Sequence, residues 1–421
     1  MNDHKSKKLL ILGGTKKYGE FVELARQLGY YTIVTDWNTP EDSPAKQISD
    51  EFWNISLMDY DSLKINIEKE WVTGIITGIT DSYLLPYENI CRITGLPCYS
   101  TKEAFESTIF KDRFKSLCTR FDVPVTPVYS KEDLNNDSSL FPVIVKPADS
   151  SGSRGFHICN NLSEFNKFLP IAEEFSPNKN VLIEKFIPWD TVIIHYTAID
   201  GKLYYCGMSD KVSVQFKNTG SSVMGIQTFP SKGEYQYLSS LDAKTRNMFE
   251  NSGFKNGPIW IEAFYDGNDQ FIFNEMGYRF GGSLTYYPVK YFYNIDQLKL
   301  LINTAFGLSN SETSHQYSKN KNLKKYCIIP VHIKPGTISH IFISEKLKEN
   351  KNVYSLVPFH NVGAKIKDWG SAQQVFTYAH LLYDNFTDLK ETINFLFHNL
   401  TVSNEKGENM VYTLFDFESL N

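Results

Sequence analysis

Two carboxylates stand thirteen positions apart in the stretch Gly257 to Ser283, each in an apolar or aromatic setting: Glu262 in WIEAFY and Glu275 in FIFNEM. Between them Asp266-Gly267-Asn268-Asp269 reads as a turn, so the stretch predicts two antiparallel strands. Side chains alternate along strands and facing residues of neighbouring strands lie about 5 Å apart. Two acids so placed repel unless a cation sits between them, and Mg²⁺ held by one or two carboxylates plus phosphate oxygens meets that need. Arg279 follows, a further positive charge for the same phosphates, then Gly281, Gly282 and Ser283. An acid on a hairpin is more often solvated than metal-bound, so the reading leans on a second motif that asks for the same ligand.

That motif is FPVIVKPADSSGSRGF, Phe141 to Phe156. An apolar strand ends in Lys146-Pro147, and a loop of Asp149, Ser150, Ser151, Gly152, Ser153, Arg154 and Gly155 follows. Small residues let backbone N–H groups approach an anion, and hydroxyls add donors. The lysine supplies a point charge for phosphate. No Gly-Lys-Ser/Thr closes the loop, so it is not a Walker loop. A third segment, VLIEKFIPWD from Val181 to Asp190, is an apolar strand running into a Pro-Trp turn.

In this order and spacing the three segments resemble the ATP-grasp superfamily, of the carboxylate–amine ligase type with a carbamoyl-phosphate-synthase-large-chain-like ATP-grasp domain. The likeness spans about residues 100–310, with a weaker similarity over the whole chain. It implies ATP and Mg²⁺ as cofactors, with Mn²⁺ able to substitute. By the resemblance, Glu262 and Glu275 hold the metal, and Ser151, Gly152 and Ser153 belong to the lid hairpin over the triphosphate. Lys111 and Lys146 match the two phosphate lysines, whereas Lys115, one turn on, is read as a solvated helix-face residue. Glu184 begins a hinge in which the backbone of Lys185, Phe186 and Ile187 faces adenine. Asp190 stands where the family binds the ribose hydroxyls, with Thr191 as the alternative. Arg279 contacts transferred phosphate, with Lys146 as its catalytic partner, and Gly281, Gly282 and Ser283 line the substrate site. One position departs from the pattern: many members have Glu-x-Asn-x-Arg, and here Gly277 fills the Asn slot while Asn274 precedes the acid.

The elements that must position these residues follow from the rest of the chain. At 421 residues it is long enough for two to four domains. Leu9–Leu12, Tyr31–Thr35 and Gly74–Ile79 are apolar runs separated by helical patterns, which imply a parallel sheet covered on both faces. Ligands of such sheets bind at strand carboxyl ends, here Gly13, Gly14, Asp36 and Asp81. GGTKKYG misses the dinucleotide fingerprint. The resemblance implies instead a degenerate Rossmann-like domain that helps bind substrate. The expected fold class is α/β (α+β): a Rossmann-like pre-ATP-grasp domain over 1–105, an ATP-grasp domain over 106–310 and a C-terminal α+β lobe over 326–421. Within the ATP-grasp domain, the lid hairpin and hinge take about 141–200 and the metal-binding core about 255–310. Leu308–Lys325 is polar and reads as a linker. Beyond it, YCIIPVHIKPGTISHI reads as strand, Pro-Gly turn, strand. FTDLKETINFLFHNLTV reads as a helix with Leu389, Ile393, Leu396, Phe397 and Leu400 on one face. His332, His340 and His360 are candidate substrate contacts, although a loop or strand-edge His is more often structural.

Composition narrows the function classes. A net charge of −5 argues against a nucleic-acid-binding surface. The six cysteines include no CxxC pair, which disfavours a zinc cluster and suits a reducing compartment. The apolar run behind the charged MNDHKSKK is too short for a membrane span or a signal peptide core. The expectation is a cytoplasmic protein with small-molecule partners, a carboxylate and an amine, and neither nucleic acid nor membrane; a homodimer is common among the family. The leading reading is an ADP-forming ligase that activates the acid as an acyl phosphate. A carboxylase or carbamoyl-phosphate-type enzyme activating bicarbonate, and a non-catalytic nucleotide-binding protein, stay open as alternatives.

Overall fold

Leu9 to Leu12 have no exposed surface, because the run becomes an inner strand covered on both faces. It lies in a parallel sheet of β1 (Lys8–Leu12), β2 (Tyr31–Thr35), β3 (Glu51–Trp53) and β4 (Val72–Ile76), in the order β3-β2-β1-β4. The computed structural model describes residues 7–148, 155–176, 178–216, 222–320, 323–367, 370 and 374–420.

The carboxyl ends of these strands do not all face a ligand. Asp36, expected at a ligand edge, is only 2% exposed and forms a 2.8 Å ion pair with the equally buried Lys46. The Ser43 hydroxyl also donates to it, and Lys46 donates further to the Asp36 carbonyl and to Asn54 Oδ1. A side chain on Gly14 would collide with Asp36 and Ser43. The acid that would read a ribose in a dinucleotide site is thus consumed in bracing the loop.

A second sheet is formed by β5 (Val143–Pro147), β6 (His157–Cys159) and β7 (Val181–Lys185), antiparallel in the order β6-β5-β7. With the helix Leu162–Glu174 it encloses an apolar cluster of its own, including Val143, Val145, Phe165 and Ile183.

The largest sheet combines β8 (Asp190–Ile199), β9 (Lys202–Gln215), β10 (Ser222–Phe229), β11 (Gly257–Tyr265) and β12 (Phe271–Gly277) with strands from the C-terminal third. Those are β13 (Lys325–Ile333), β15 (Val353–Leu356), β17 (Val375–Tyr383) and β19 (Val411–Tyr412), whereas β14 (Gly336–Ile343), β16 (Lys365–Ile366) and β18 (Leu400–Asn404) form a separate three-stranded sheet. Among the described residues nine strands join in the antiparallel order β12-β11-β8-β9-β10-β13-β17-β15, with β19 on β13. The two strands expected around Pro335-Gly336 both form, but they do not pair with each other. β13 enters the central sheet, whereas β14 pairs with β16 and β18. One apolar cluster runs from Leu9 through Ile261 to Ala305 and so binds the parallel sheet to the central one. The C-terminal helix Phe386–Asn399 buries Leu389, Ile393 and Leu396, as its spacing predicts, and Leu400 falls in β18.

The expected linker at Leu308–Lys325 is mostly exposed where it is described, and is anchored at a few points. Asn310 and Thr313 are buried, and Tyr317 stacks on Tyr293 and donates to the Tyr205 carbonyl. No helix among the described residues is long and apolar enough to cross a membrane.

Removing one partner of a buried ion pair leaves the other charge uncompensated, at a cost of roughly 3–5 kcal/mol. Lys46→Met is therefore expected to lower unfolding free energy by about 3 kcal/mol in guanidinium titration. A loss within experimental error would show that the Asp36 brace is dispensable.

Candidate functional site

The hairpin β11–β12 places Glu262 directly opposite Glu275, with a bulge immediately after Glu262. Both acids are half-buried. Glu262 is met by Lys211 from β9 at 2.5 Å, and Asn274 donates to its other oxygen at 3.0 Å. Burial alone would raise the Glu262 pKa, but Lys211 and then Asn274 hold it below the ordinary carboxylate value. Burial raises the Glu275 pKa, the charge of Glu262 adds to this, and Lys146, Lys111 and Lys211 oppose it. Burial would lower the pKa of Lys211, yet Glu262 overrides it and the shift is upward. Lys211 was not singled out from the sequence. Its signal was the alternation of β9, which puts Lys211 beside Thr191 and Gln227 on one face of the sheet.

Around the acid pair stands a group of lysines. Lys111 opens the helix Lys111–Arg120. Burial, and next the charge of Lys146, depress its pKa. Lys146 on β5 lies 2.5 Å from Glu184. Lys115 corrects the sequence reading: it is 7% exposed, lies 2.8 Å from the other Glu184 oxygen and donates to the Thr126 carbonyl. Helical spacing could not show that this face packs against β7. Glu184, 1% exposed, therefore serves as a shared counter-ion to two lysines, and neither oxygen accepts a well-aligned hydrogen bond. Burial would raise its pKa, but Lys146 and Lys115 together bring it below the ordinary value.

The expected hinge follows β7. The N–H groups of Lys185 and Phe186 donate to the carbonyls of Pro127 and Pro142, so these two amides are spent internally and are not aimed at a base. Ile187 is buried. At the start of β8 the register pairs Thr191 with Lys211 and Asp190 with Tyr265. Alternation then puts Thr191, and not Asp190, on the face that carries Lys211 and Glu262. Ser151, Gly152 and Ser153 lie outside the described residues.

Arg279 is fixed on three sides. Its guanidinium forks onto Asp81 with two 2.6 Å hydrogen bonds, donates to the Phe280 carbonyl and lies 5.3 Å from the centre of the Trp260 ring. Trp260 also explains the departure at Gly277. The two are cross-strand partners, and a side chain at 277 would run into the indole. Trp260 occupies the space an Asn would need. Beyond Arg279, the Gly282 carbonyl accepts from Lys17 at 2.7 Å, and the Ser283 hydroxyl reaches Gln227 at 3.4 Å. His332 and His380 are buried, with pKa values lowered by burial to about 4 and about 3, and His340 is exposed on β14.

Among the described residues no three His, Cys, Asp or Glu side chains cluster as a self-sufficient metal site. Two acids on one face with lysines nearby are instead the donor set for Mg²⁺ completed by phosphate oxygens. The residues present fit that group.

The chain is similar in sequence and in fold to known proteins. Residues 111–193 match the family model described as the carbamoyl-phosphate synthase L chain, ATP binding domain. The formate-dependent phosphoribosylglycinamide formyltransferase of Prochlorococcus marinus (strain NATL1A) is 27% identical over 288 residues, covering 65% of this chain and 70% of that one. The phosphoribosylglycinamide synthetase from Anaerococcus prevotii superposes with a TM-score of 0.76 at 16% identity, over 95% of this chain and 100% of its own. The L-amino acid ligase from Bacillus licheniformis gives 0.74 at 18% identity, over 95% and 99%. The fold is the one these solved structures share.

The raised Glu275 pKa makes a test. A carboxyl group whose pKa is higher in the folded state binds its proton more tightly there. Folding is then disfavoured increasingly as pH rises through the unfolded pKa towards the folded one, and the cost is complete above it. Glu275→Gln removes that cost. In chelator at pH 7 the variant is expected to melt above the wild type, with the gap closing as pH falls towards 4. Equal melting at pH 7 would mean that the two acids do not repel.

Proposed function

We propose that this chain is an ATP-grasp enzyme, an ADP-forming ligase that joins a small-molecule carboxylate to an amine. The observation that carries the reading is the opposed pair Glu262–Glu275 surrounded by Lys111, Lys146, Lys211 and Arg279. Glu262 and Glu275 would hold Mg²⁺, or Mn²⁺, which shares its preference for oxygen ligands. When bound, the metal supplies positive charge to the triphosphate.

A carboxylate is a poor electrophile because its leaving group would be oxide. Its oxygen attacks the γ-phosphorus, ADP leaves, and the resulting acyl phosphate is a good electrophile. The amine then attacks the acyl carbon and phosphate departs. The protein's share is positioning and charge neutralisation. Lys111 and Lys146 face the triphosphate. Lys115 remains on Glu184, so Lys146 can turn towards phosphate without leaving a buried carboxylate unpaired. Arg279, preset by Asp81 and the Trp260 ring, is the donor for the transferred phosphoryl group. Ile187 offers its backbone to adenine and Thr191 takes the ribose slot. The missing Asn at 277 has a packing cause in Trp260, so it does not by itself favour bicarbonate as the activated acid.

With a working pair of substrates, the products are expected to be ADP and inorganic phosphate. Oxygen-18 in the acid should appear in the phosphate. Label carried into AMP, or none in phosphate, would rule out the acyl-phosphate route. Glu275→Gln is expected to cut turnover by on the order of 10²–10³, the usual cost of losing a principal charge stabiliser.

A further inference from the structure

Lys17 sits where three parts of the chain meet. It belongs to the loop after β1, its ammonium donates at 2.7 Å to the Gly282 carbonyl, and it stands beside Arg279. Two rings from the C-terminal third cover it: Phe359, 4.7 Å from ring centre to nitrogen, and Tyr378 on β17, 5.6 Å away. The side chain is half-buried, and among the described residues no carboxylate lies within ion-pair distance of it. Of the other cations nearby, Arg279 is matched by Asp81, Lys211 by Glu262, and Lys115 and Lys146 by Glu184, whereas Lys111, assigned above to the triphosphate, like Lys17 has no carboxylate at ion-pair distance among the described residues. Glu20, one turn along, accepts instead from Tyr287.

A cation drawn out of water without a counter-ion is costly unless an anion arrives to pair with it. Burial, with the charge of Arg279 next, pushes the Lys17 pKa down to about 8, the signature of that missing partner. The carbonyl and the two ring faces hold the ammonium in place without neutralising it. They aim it into the cleft next to the residues that flank the transferred phosphoryl group. A ligand anion entering there would supply the counter-ion that Lys17 lacks.

We propose that Lys17 is the anchor for an anionic group, a carboxylate or a phosphate monoester, on the substrate that receives or supplies the activated acyl group. The inference rests on the ligase reading given above, because that reading makes the cleft beside Arg279 the place of acyl transfer. It narrows the substrate class: one of the two joined molecules carries a negative charge remote from its reacting atom. Phe359 and Tyr378 make the anchor dependent on the C-terminal third, so the substrate is read by both ends of the chain.

The test uses the full chain loaded with Mg²⁺ and a non-hydrolysable ATP analogue, so that the triphosphate site is already filled. Acetate, methyl phosphate and the neutral acetamide are titrated by NMR into the wild type, Lys17→Gln and Lys17→Arg. At least one anion is expected to bind the wild type, to bind Lys17→Gln at least tenfold more weakly, and to keep most of its affinity for Lys17→Arg, while acetamide does not bind. Tighter acetate points to a carboxylate substrate and tighter methyl phosphate to a phosphorylated one. Equal anion affinity in the wild type and Lys17→Gln, no anion binding, or acetamide binding as well as acetate would each overturn the proposal. Failure of the wild type to load the nucleotide would overturn the ligase reading and this proposal with it, whereas failure of the anions alone leaves the ligase reading standing.

Discussion

Two carboxylates held face to face on neighbouring strands dominate the electrostatics of this molecule. Glu262 and Glu275 are cross-strand partners in a half-buried setting, and the charge of Glu262 adds to burial in making Glu275 harder to ionise. The surrounding cations follow from that constraint. Lys211 neutralises one acid directly, while Lys111 and Lys146 bear on the other from two further elements. A second buried carboxylate, Glu184, balances the lysines in turn. Acids and lysines thus alternate over two sheets and the helix Lys111–Arg120.

The fold supplies the precision this needs. The register of β8, β9 and β11 brings Thr191, Lys211 and Glu262 onto one face, and a single bulge after Glu262 sets the angle of the acid pair. Trp260 does two jobs from the same strand as Glu262: it fills the space over Gly277 and gives Arg279 a flat surface to lie on. Asp81 reaches from the parallel sheet to the other side of Arg279. The parallel sheet is therefore part of the site, although its own ligand edge at Asp36 is closed by Lys46.

Much of this was legible in the sequence, and the gaps have physical causes. The hairpin bearing the acids, the strand ending at Lys146, the strand before the Pro-Trp turn and the C-terminal helix were all visible, because local periodicity and turn residues determine them. Lys115 and Lys211 were misread or passed over. A lysine's partner lies on another strand or sheet, and no pattern within its own element reveals that partner. The same holds for the pairing of Arg279 with Asp81, 198 positions away, and for Lys17 under Phe359 and Tyr378. The two strands flanking Pro335-Gly336 were found, but their separation into different sheets was not, since a turn dipeptide cannot report which neighbour a strand will choose.

The central claim is that Glu262 and Glu275 are a metal–phosphate site and not a repelling pair stabilised by lysines alone. The most direct measurement is a crystal structure with Mn²⁺ and a non-hydrolysable ATP analogue, with the metal located by its anomalous scattering. The account predicts Mn²⁺ bonded to an oxygen of each acid at about 2.1 Å, the distance of a hard octahedral cation, with phosphate oxygens completing its shell. A nucleotide bound with the metal elsewhere, and with Lys211 still the sole cation on Glu262, would contradict it.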